Sequence, residues 1–474
     1  MSAHHPEAGP TLMRIAVIGL ALAALSLPLQ LHAAPRALGE FQPCQPAKLP
    51  EPFAGRAECA TLTVPENRAA PRGRRLELPV LRIAAAERSA EPPLFVLNGG
   101  PGGPNLARVL PLAGVARNRD TYYVGYRGAD GASPLQCPEI TARFAVPEIL
   151  SPDNLQHLEQ ATAACARRLA AAGIDVNDYT ILDVIDDLED VRKALGERRV
   201  SLLSISYGTR VAQFYARRHP RRIHRSVMLG TNPPGHFVFS ARVNDQVLGR
   251  LSELCAADAH CAARTPDLRR TLLRALQAGA QGSGQLDDGK TSMALFFSLY
   301  GRGQFRPFLE AALAAEAGDL SKLQAAGQVT IDMSRQMIWG DLLAKGSLDS
   351  HRYAALAPTF GATAESMGSP SDLLYQSFTR GWPQASIPEE YHRAVRDETP
   401  TLLINGDIDV ATPLTFVREE LLPHLPNGQL VVLKDYGHSD FSRQGPAVDQ
   451  MIASFLTTGT PDRSGLKQDP YLFQ

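Results

Sequence analysis

Residues 200–209 have the sequence Val200-Ser201-Leu202-Leu203-Ser204-Ile205-Ser206-Tyr207-Gly208-Thr209. The apolar run as far as Ile205 has the length and composition of a buried strand. Beyond it, apolar residues recur at helical spacing from Val211 until Pro220 stops the pattern. Ser206 therefore lies at a predicted turn from a strand into a helix.

This turn has the features of a nucleophile elbow, in which a reactive serine projects at the N-terminus of a helix. The backbone turns so sharply there that the residues two before and two after the serine must be small. Gly208 meets this demand, and Ser204 nearly meets it, although glycine is the usual residue at that place. The alternative is a serine that caps an ordinary helix. A base, an acid and an oxyanion hole in the right places would decide between the two.

The composition is that of an ordinary globular protein. The chain has 474 residues, of which 44% are hydrophobic and 20% charged, and this suits one large domain with an insertion or two domains. Lysine and arginine (48 residues) nearly balance aspartate and glutamate (49 residues), so we expect no nucleic-acid partner. These features leave the oligomeric state open.

The N-terminal segment has the pattern of a secretory signal peptide. Arg14 precedes an apolar run at 15–27, and small residues follow, with cleavage predicted after Ala33. An uncleaved membrane anchor is the alternative, but the run is short and Pro28 interrupts it. We therefore expect a secreted or periplasmic protein that begins at Ala34 and keeps no stable membrane anchor.

The six cysteines suit an oxidising compartment, because their number is even. Nearness in sequence favours three disulfide bonds: Cys44 with Cys59, Cys137 with Cys165, and Cys255 with Cys261. Metal binding is a weaker alternative, since the sequence contains neither a Cys-x-x-Cys nor a His-Glu-x-x-His motif. We expect no metal and no other cofactor.

Alternating strand and helix patterns predict an α/β fold with a mostly parallel sheet, helices on both faces and an inserted helical lid. The predicted organisation is a signal peptide at 1–33, the first part of the sheet domain at 34–230, the lid at 231–387, and the second part of the sheet domain at 388–474. Strands are predicted at 59–64, 76–83, 94–97, 122–126, 200–205, 223–229, 401–405 and 429–433.

A glycine-rich loop follows the third of these strands, with the sequence Asn98-Gly99-Gly100-Pro101-Gly102-Gly103-Pro104. Glycines leave backbone N–H groups uncovered by side chains, which is what an oxyanion hole requires. A phosphate-binding loop is less consistent with the sequence, because the Gly-Lys-Ser/Thr ending is missing. A flexible turn remains an alternative for this loop considered by itself.

Two further residues complete a pattern with Ser206. Asp409 and His438 each come just after a predicted strand, and the order serine, aspartate, histidine is that of the α/β-hydrolase triad. His438 would take the serine proton, and Asp409 would hold the imidazole in the correct tautomer. Asp407 and Asp435 are the alternatives for the acid.

In these motifs the chain resembles the secreted tripeptidyl aminopeptidase and proline iminopeptidase group of α/β-hydrolases. The resemblance implies that the backbone N–H groups of Gly100 and Tyr207 form the oxyanion hole. It also implies that a lid carboxylate holds the free ammonium group of the substrate, and Asp341 is the candidate for that role. The matching segments cover most of the chain from Cys44 to about Leu456: 98–103, 127–128, 134–137, 206–209, Cys255 with Cys261, 406–413 and 437–438.

Three functions are compatible with this sequence. The first is a serine hydrolase, an aminopeptidase of tripeptidyl or prolyl type, that cleaves amide bonds of short peptides at or near the free amino terminus through an acyl-enzyme intermediate. The second is a carboxylic-ester hydrolase, because one fold and one triad serve either bond. The third is an inactive binding protein, which the complete triad disfavours.

Overall fold

A sheet of nine strands organises the described part of the computed structural model, which comprises residues 38–46, 48–87, 89–278, 286–384 and 387–473. The predicted signal peptide lies outside these residues. The strands are β1 (Gln42–Pro43), β2 (Ala57–Pro65), β3 (Arg75–Ile83), β4 (Leu94–Leu97), β5 (Thr121–Val124), β6 (Val200–Ile205), β7 (Ile223–Leu229), β8 (Thr401–Gly406) and β9 (Gly428–Leu433).

The strand order in the sheet is β1-β2-β3-β5-β4-β6-β7-β8-β9. The pairs from β1 to β5 are antiparallel, and those from β5 through β4 to β9 are parallel. The predicted fold class is thus confirmed, and the eight predicted strands are all present. The carboxyl ends of β6, β8 and β9 meet at one edge of the sheet, which brings the segments after them together.

Fifteen α-helices lie within the described residues. They are α1 (Pro138–Thr141), α2 (Pro152–Ala171), α3 (Ile181–Ala194), α4 (Tyr207–Arg218), α5 (Ala241–Ala257), α6 (Ala259–Ala262), α7 (Leu268–Leu276), α8 (Asp288–Ser298), α9 (Arg302–Glu316), α10 (Ser321–Gln336), α11 (Trp339–Gly346), α12 (Tyr353–Leu356), α13 (Pro370–Gly381), α14 (Leu414–Phe416) and α15 (Gly445–Thr458).

Helices cover both faces of the sheet because neighbouring strand residues point to opposite faces. In β4, Phe95 and Leu97 belong to the core that includes α3 and α4, whereas Leu94 and Val96 belong to the core that includes α15. The continuous apolar run of this strand is therefore buried on two sides. This packing fixes the strand ends that carry the glycine loop and Ser206.

The lid occupies the interval between β7 and β8, and α5 to α13 lie within it. One lid helix, α13, packs closely on α2 of the sheet domain: a Cβ at Gly381 would lie 2.1 Å from the Glu159 carbonyl oxygen. The described residues from 38 onward accordingly group as one structural unit. No helix in the described ranges has both the length and the apolar character that crossing a bilayer requires.

The three predicted disulfide bonds are confirmed. Cys44 bonds Cys59, Cys137 bonds Cys165, and Cys255 bonds Cys261. They close segments whose ends are 15, 28 and 6 residues apart, so each bond lies within one local segment of the fold.

Asp372 in α13 is a buried carboxyl group, and burial raises its pKa to about 8. Hydrogen bonds from Ser369 Oγ (2.7 Å) and the Phe239 N–H (3.2 Å) only partly offset this rise in pKa. In the unfolded chain an aspartate ionises near pH 4. Between about pH 4 and 8 the folded state therefore binds more protons at this group than the unfolded state, and the contribution of Asp372 to stability falls as pH rises.

We expect Asp372→Asn, which stays neutral, to remove this dependence. The free energy of unfolding at pH 8 should exceed that of the wild type by about 5 kcal/mol, against about 1 kcal/mol at pH 4.5. Urea unfolding at the two pH values measures this. Asp332→Asn is the control, because that carboxylate is exposed on α10. The same pH dependence in wild type and Asp372→Asn would contradict the assignment.

Candidate active site

Ser206 lies between β6 and α4 in a backbone conformation that is rare for residues other than glycine, with φ 55° and ψ −126°. Such conformations are costly and occur at functional turns. The helix α4 runs so close to β4 that a Cβ at Gly208 would lie 2.0 Å from the Leu97 carbonyl oxygen. A glycine is thus required two residues after Ser206. Two residues before it, the buried Ser204 fits because its Oγ donates to the Val227 carbonyl oxygen (2.9 Å).

His438 follows β9, and its Nδ1 lies 2.8 Å from Asp409 Oδ2. The Asp409 carboxylate also accepts hydrogen bonds from the N–H groups of Ala411 and Thr412 (2.8 Å each) and from Thr412 Oγ1 (2.7 Å). Burial would raise the pKa of Asp409, but His438 and these hydrogen bonds outweigh it, and the pKa lies below its usual value. The buried carboxylate is therefore ionised and orients the ring.

The other two candidate acids lie elsewhere. Asp407 Oδ1 accepts the backbone N–H of Asp435 (2.5 Å), and the Asp435 carboxylate forms an ion pair with Arg250 (2.9 Å). Neither carboxylate hydrogen-bonds to His438, whereas Asp409 does. The geometry thus favours Asp409 as the partner of the imidazole.

Ser206 and His438 both line a cavity of about 920 Å³ under the lid. In the described residues Ser206 Oγ forms no hydrogen bond to the ring, and such catalytic bonds often shorten only when substrate binds. The Tyr300 ring meets the His438 ring edge-on, with centroids 5.4 Å apart. Apolar lid side chains form much of the wall, among them Phe237, Met293, Phe297, Met337, Trp339 and Tyr375.

Two family models match the chain in the regions that carry these groups. A model described as alpha/beta hydrolase fold matches residues 92–257, which include Ser206, and a model described as TAP-like protein matches residues 371–468, which include Asp409 and His438. The chain thus has the α/β-hydrolase fold, and its C-terminal part is similar to TAP-like proteins.

The chain is also similar to individual proteins. The tripeptidyl aminopeptidase of Streptomyces lividans is 24% identical, in an alignment that covers 89% of this chain and 85% of the relative. Serine protease Hip1 of Mycobacterium tuberculosis strain H37Rv is 25% identical over 41% of this chain and 40% of its own. A solved structure of proline iminopeptidase from Mycobacterium smegmatis is 16% identical, with a TM-score of 0.40, over 84% of this chain and 97% of that one.

The glycine loop is held at its base by a buried polar network. The Asn98 N–H donates to Asn105 Oδ1 (2.8 Å), and the Asn98 side chain donates to the carbonyl oxygens of Asn105 and Arg108. Asp130 accepts the backbone N–H groups of Asn105 (2.7 Å) and Tyr126 (2.8 Å). No local sequence pattern indicates this network, because only the sheet brings 98–105 and 126–130 together.

The loop passes directly over the serine: a Cβ at Gly99 would lie 2.9 Å from Ser206 Cβ. Gly100 and Tyr207, the predicted oxyanion-hole residues, both line the cavity. Among the hydrogen bonds of the described residues, neither backbone N–H group has an acceptor. Both groups are therefore available to a ligand, and their role as oxyanion donors stays a prediction.

The structure contradicts the predicted place of Asp341. Its side chain is buried beneath the glycine loop rather than in the cavity wall, and it forms an ion pair with Lys345, one helical turn later. Asp341 Oδ2 accepts the Gly102 N–H at 2.9 Å. Because the carboxylate already has these partners and does not face the cavity, it cannot hold a substrate ammonium group there. The spacing of Asp341 and Lys345, four residues apart, was the sequence signal for this ion pair.

Proposed function

We propose that the protein is an exported serine hydrolase that cleaves short peptides at or near their amino end through an acyl-enzyme intermediate. The observation that carries the proposal is the strained Ser206 elbow, which lines the same cavity as His438, the hydrogen-bond partner of Asp409. The likeness to a tripeptidyl aminopeptidase over most of both chains supports the peptide substrate.

The chemistry follows from the positions of these groups. Ser206 Oγ attacks the carbonyl carbon of the scissile bond while His438 Nε2 takes its proton, and Asp409 stabilises the imidazolium through Nδ1–H. The N–H groups of Gly100 and Tyr207 bind the negatively charged oxygen of the tetrahedral intermediate. His438 then gives the proton to the leaving amine as the bond breaks. Water, deprotonated by His438, hydrolyses the acyl-enzyme and restores Ser206.

The cavity supports action on short chains. Its volume of about 920 Å³ is at the upper end of the range of pockets that enclose a small molecule, and the lid covers it. Such a site admits the end of a peptide but not the middle of a folded protein. Cleavage near a terminus is therefore the mode of action that we propose.

We expect the length of the substrate on the amino side to control turnover. A tripeptide anilide with a free amino group should have a kcat/KM at least tenfold higher than the same anilide extended by six residues at its amino end, because a cavity covered by the lid would not accommodate the extension. Anilide release by the two substrates measures this. Equal turnover of both peptides would contradict exopeptidase action.

One observation favours carboxylic-ester hydrolysis as a second candidate. Among the described residues that line the cavity, Asp449 is the one that carries a carboxylate. Its two oxygens already accept hydrogen bonds from the N–H groups of Gly114 (2.7 Å) and Val115 (3.0 Å). No carboxylate of this wall is thus reserved for an ammonium group, and apolar side chains suit an uncharged acyl group. Adding the N-acetylated anilide and a nitrophenyl ester to the same assay separates the candidates. Rapid ester cleavage without anilide release would establish the second.

Export is supported by the disulfide bonds, which persist in oxidising compartments, and by the signal-like sequence before Ala34. We expect Edman sequencing of the protein recovered from the periplasm or medium to begin near Ala34. Recovery of the intact N-terminus from the cytoplasm alone would refute export.

A further inference from the structure

Asp341 and Lys345 form a buried ion pair on α11 that the mechanism above does not use. Their side chains are 1% and 0% exposed. Burying two charges is costly unless their partners compensate it, and such a pair adds little to stability compared with apolar residues of similar size. The contacts that the pair makes therefore indicate what it does.

The lid holds Gly102 from both sides. Asp341 Oδ2 accepts the Gly102 N–H (2.9 Å), and the Ile338 N–H donates to the Gly102 carbonyl oxygen (3.0 Å). The approach is close: Gly102 has φ 85°, and a Cβ there would lie 2.8 Å from Met337 Cε and 2.9 Å from Leu342 Cβ. Only glycine fits this place, so the loop and the start of α11 are packed as one piece.

Lys345 is linked to the other end of the loop through Tyr126. Its Nζ donates to the Arg127 carbonyl oxygen (2.8 Å) and lies 5.5 Å from the centroid of the Tyr126 ring. The Tyr126 hydroxyl donates to the Asn98 carbonyl oxygen (3.2 Å), where the glycine loop begins. The same ring meets that of Tyr207 edge-on, at 6.4 Å between centroids. The ion pair thus contacts Gly102 directly and Asn98 through Tyr126.

We propose that Asp341 and Lys345 are positioning residues for the oxyanion hole, which the lid holds in shape through the Asp341–Gly102 hydrogen bond. Gly100 lies between Asn98 and Gly102, the two points that the ion pair fixes. The inference rests on the proposed function, because it assumes that Gly100 and Tyr207 bind the oxyanion. A lid displaced from the loop would leave Ser206 and His438 in place but would weaken stabilisation of the transition state.

Two double variants isolate the hydrogen bond to Gly102. Asp341→Asn/Lys345→Met keeps an oxygen acceptor for the Gly102 N–H and removes both charges. Asp341→Leu/Lys345→Met also removes both charges, but it has no acceptor, and leucine is close to asparagine in size. Neither leaves an unpaired buried charge, which would by itself be strongly destabilising. Thermal unfolding compares the folding of the two proteins.

We expect kcat for the short peptide anilide to be at least tenfold lower in the leucine double variant than in the asparagine double variant, with KM within about twofold. Loss of an interaction that is made only in the transition state lowers kcat and leaves substrate binding unchanged. The affinity for a peptide aldehyde, whose adduct with Ser206 places an oxyanion in the hole, should fall by the same factor. A merely structural role would not change kcat and aldehyde affinity together at constant KM.

Equal kcat values in two folded double variants would overturn the proposal. If the leucine double variant does not fold, Tyr126→Phe decides, because it removes only the hydroxyl that holds Asn98. We expect it to lower kcat about threefold or more at unchanged KM, and an unchanged kcat would again refute the proposal. Labelling of the wild type by a fluorophosphonate separates failure of the proposed function from failure of the positioning role. Absence of labelling at Ser206 contradicts the proposed function itself. Labelling together with equal kcat values contradicts only the positioning role.

Discussion

Ser206→Ala will lower kcat by about 10⁵- to 10⁶-fold, because the serine, histidine and aspartate act as one proton-transfer unit and the loss of the nucleophile disables all of it. The remaining activity would come from the oxyanion donors and substrate binding alone. Anilide release at saturating substrate measures kcat. Ser206 already adopts φ 55° with a Cβ in place. Alanine has the same Cβ and adds no atom, so the substitution should leave the fold intact.

The matched control for this variant is Ser201→Ala. Ser201 lies at the other end of the same strand, is buried, and has a hydroxyl without a hydrogen-bond partner in the described structure. Its replacement should therefore keep wild-type kcat. Fluorophosphonate should label the control and fail to label Ser206→Ala. If Ser206→Ala retained more than about a hundredth of the activity, another nucleophile would have to be sought.

Asp409→Asn will lower kcat by about 10⁴-fold. The carboxylate accepts the Nδ1–H of His438 at 2.8 Å, and an amide in its place would favour the wrong tautomer of the imidazole. The N–H groups of Ala411 and Thr412 can still donate to the amide oxygen, so we expect the loop after β8 to keep its shape. KM should change little, because Asp409 does not line the cavity.

Asp407→Asn is the corresponding control. Asp407 lies two residues earlier and accepts a backbone N–H of Asp435 rather than binding the imidazole. We expect it to retain at least a tenth of wild-type kcat. The assignment of the acid would be wrong if Asp407→Asn were the damaging variant and Asp409→Asn the mild one.

The strands were predictable because the residues that form them carry their own pattern. The β6 strand consists of apolar residues and two buried serines, since helices cover both of its faces, and its bounds are those predicted. In contrast, β1 is only two residues long and exists through its pairing with β2, so no local pattern marks it. The predicted strand 122–126 ends earlier, at Val124, because the Tyr126 N–H donates to the Asp130 carboxylate instead of to a neighbouring strand.

Those parts of the candidate site that directly follow a strand were predictable from the sequence. Contacts between a site residue and a segment far away in the sequence were less predictable. Asp409 and His438 follow strands that the sheet places side by side, so their meeting could be expected. The role of Asp341 could not be read from residue identity, because it depends on the approach of α11 to Gly102 across 239 positions of sequence. Long-range packing of this kind leaves no local pattern.

The three disulfide bonds each remain within one local segment, and Ser206, Asp409 and His438 lie outside the lid. In the described structure, the lid is therefore joined to the sheet domain by its two chain connections and by non-covalent packing. The lid could therefore differ between proteins that share this sheet, and with it the shape of the cavity, while the segments that carry Ser206, Asp409 and His438 stay the same. A transplanted lid would nevertheless have to bring an acceptor for the Gly102 N–H, which Asp341 supplies here. Compatibility between lids and glycine loops would then limit which chimaeras are active.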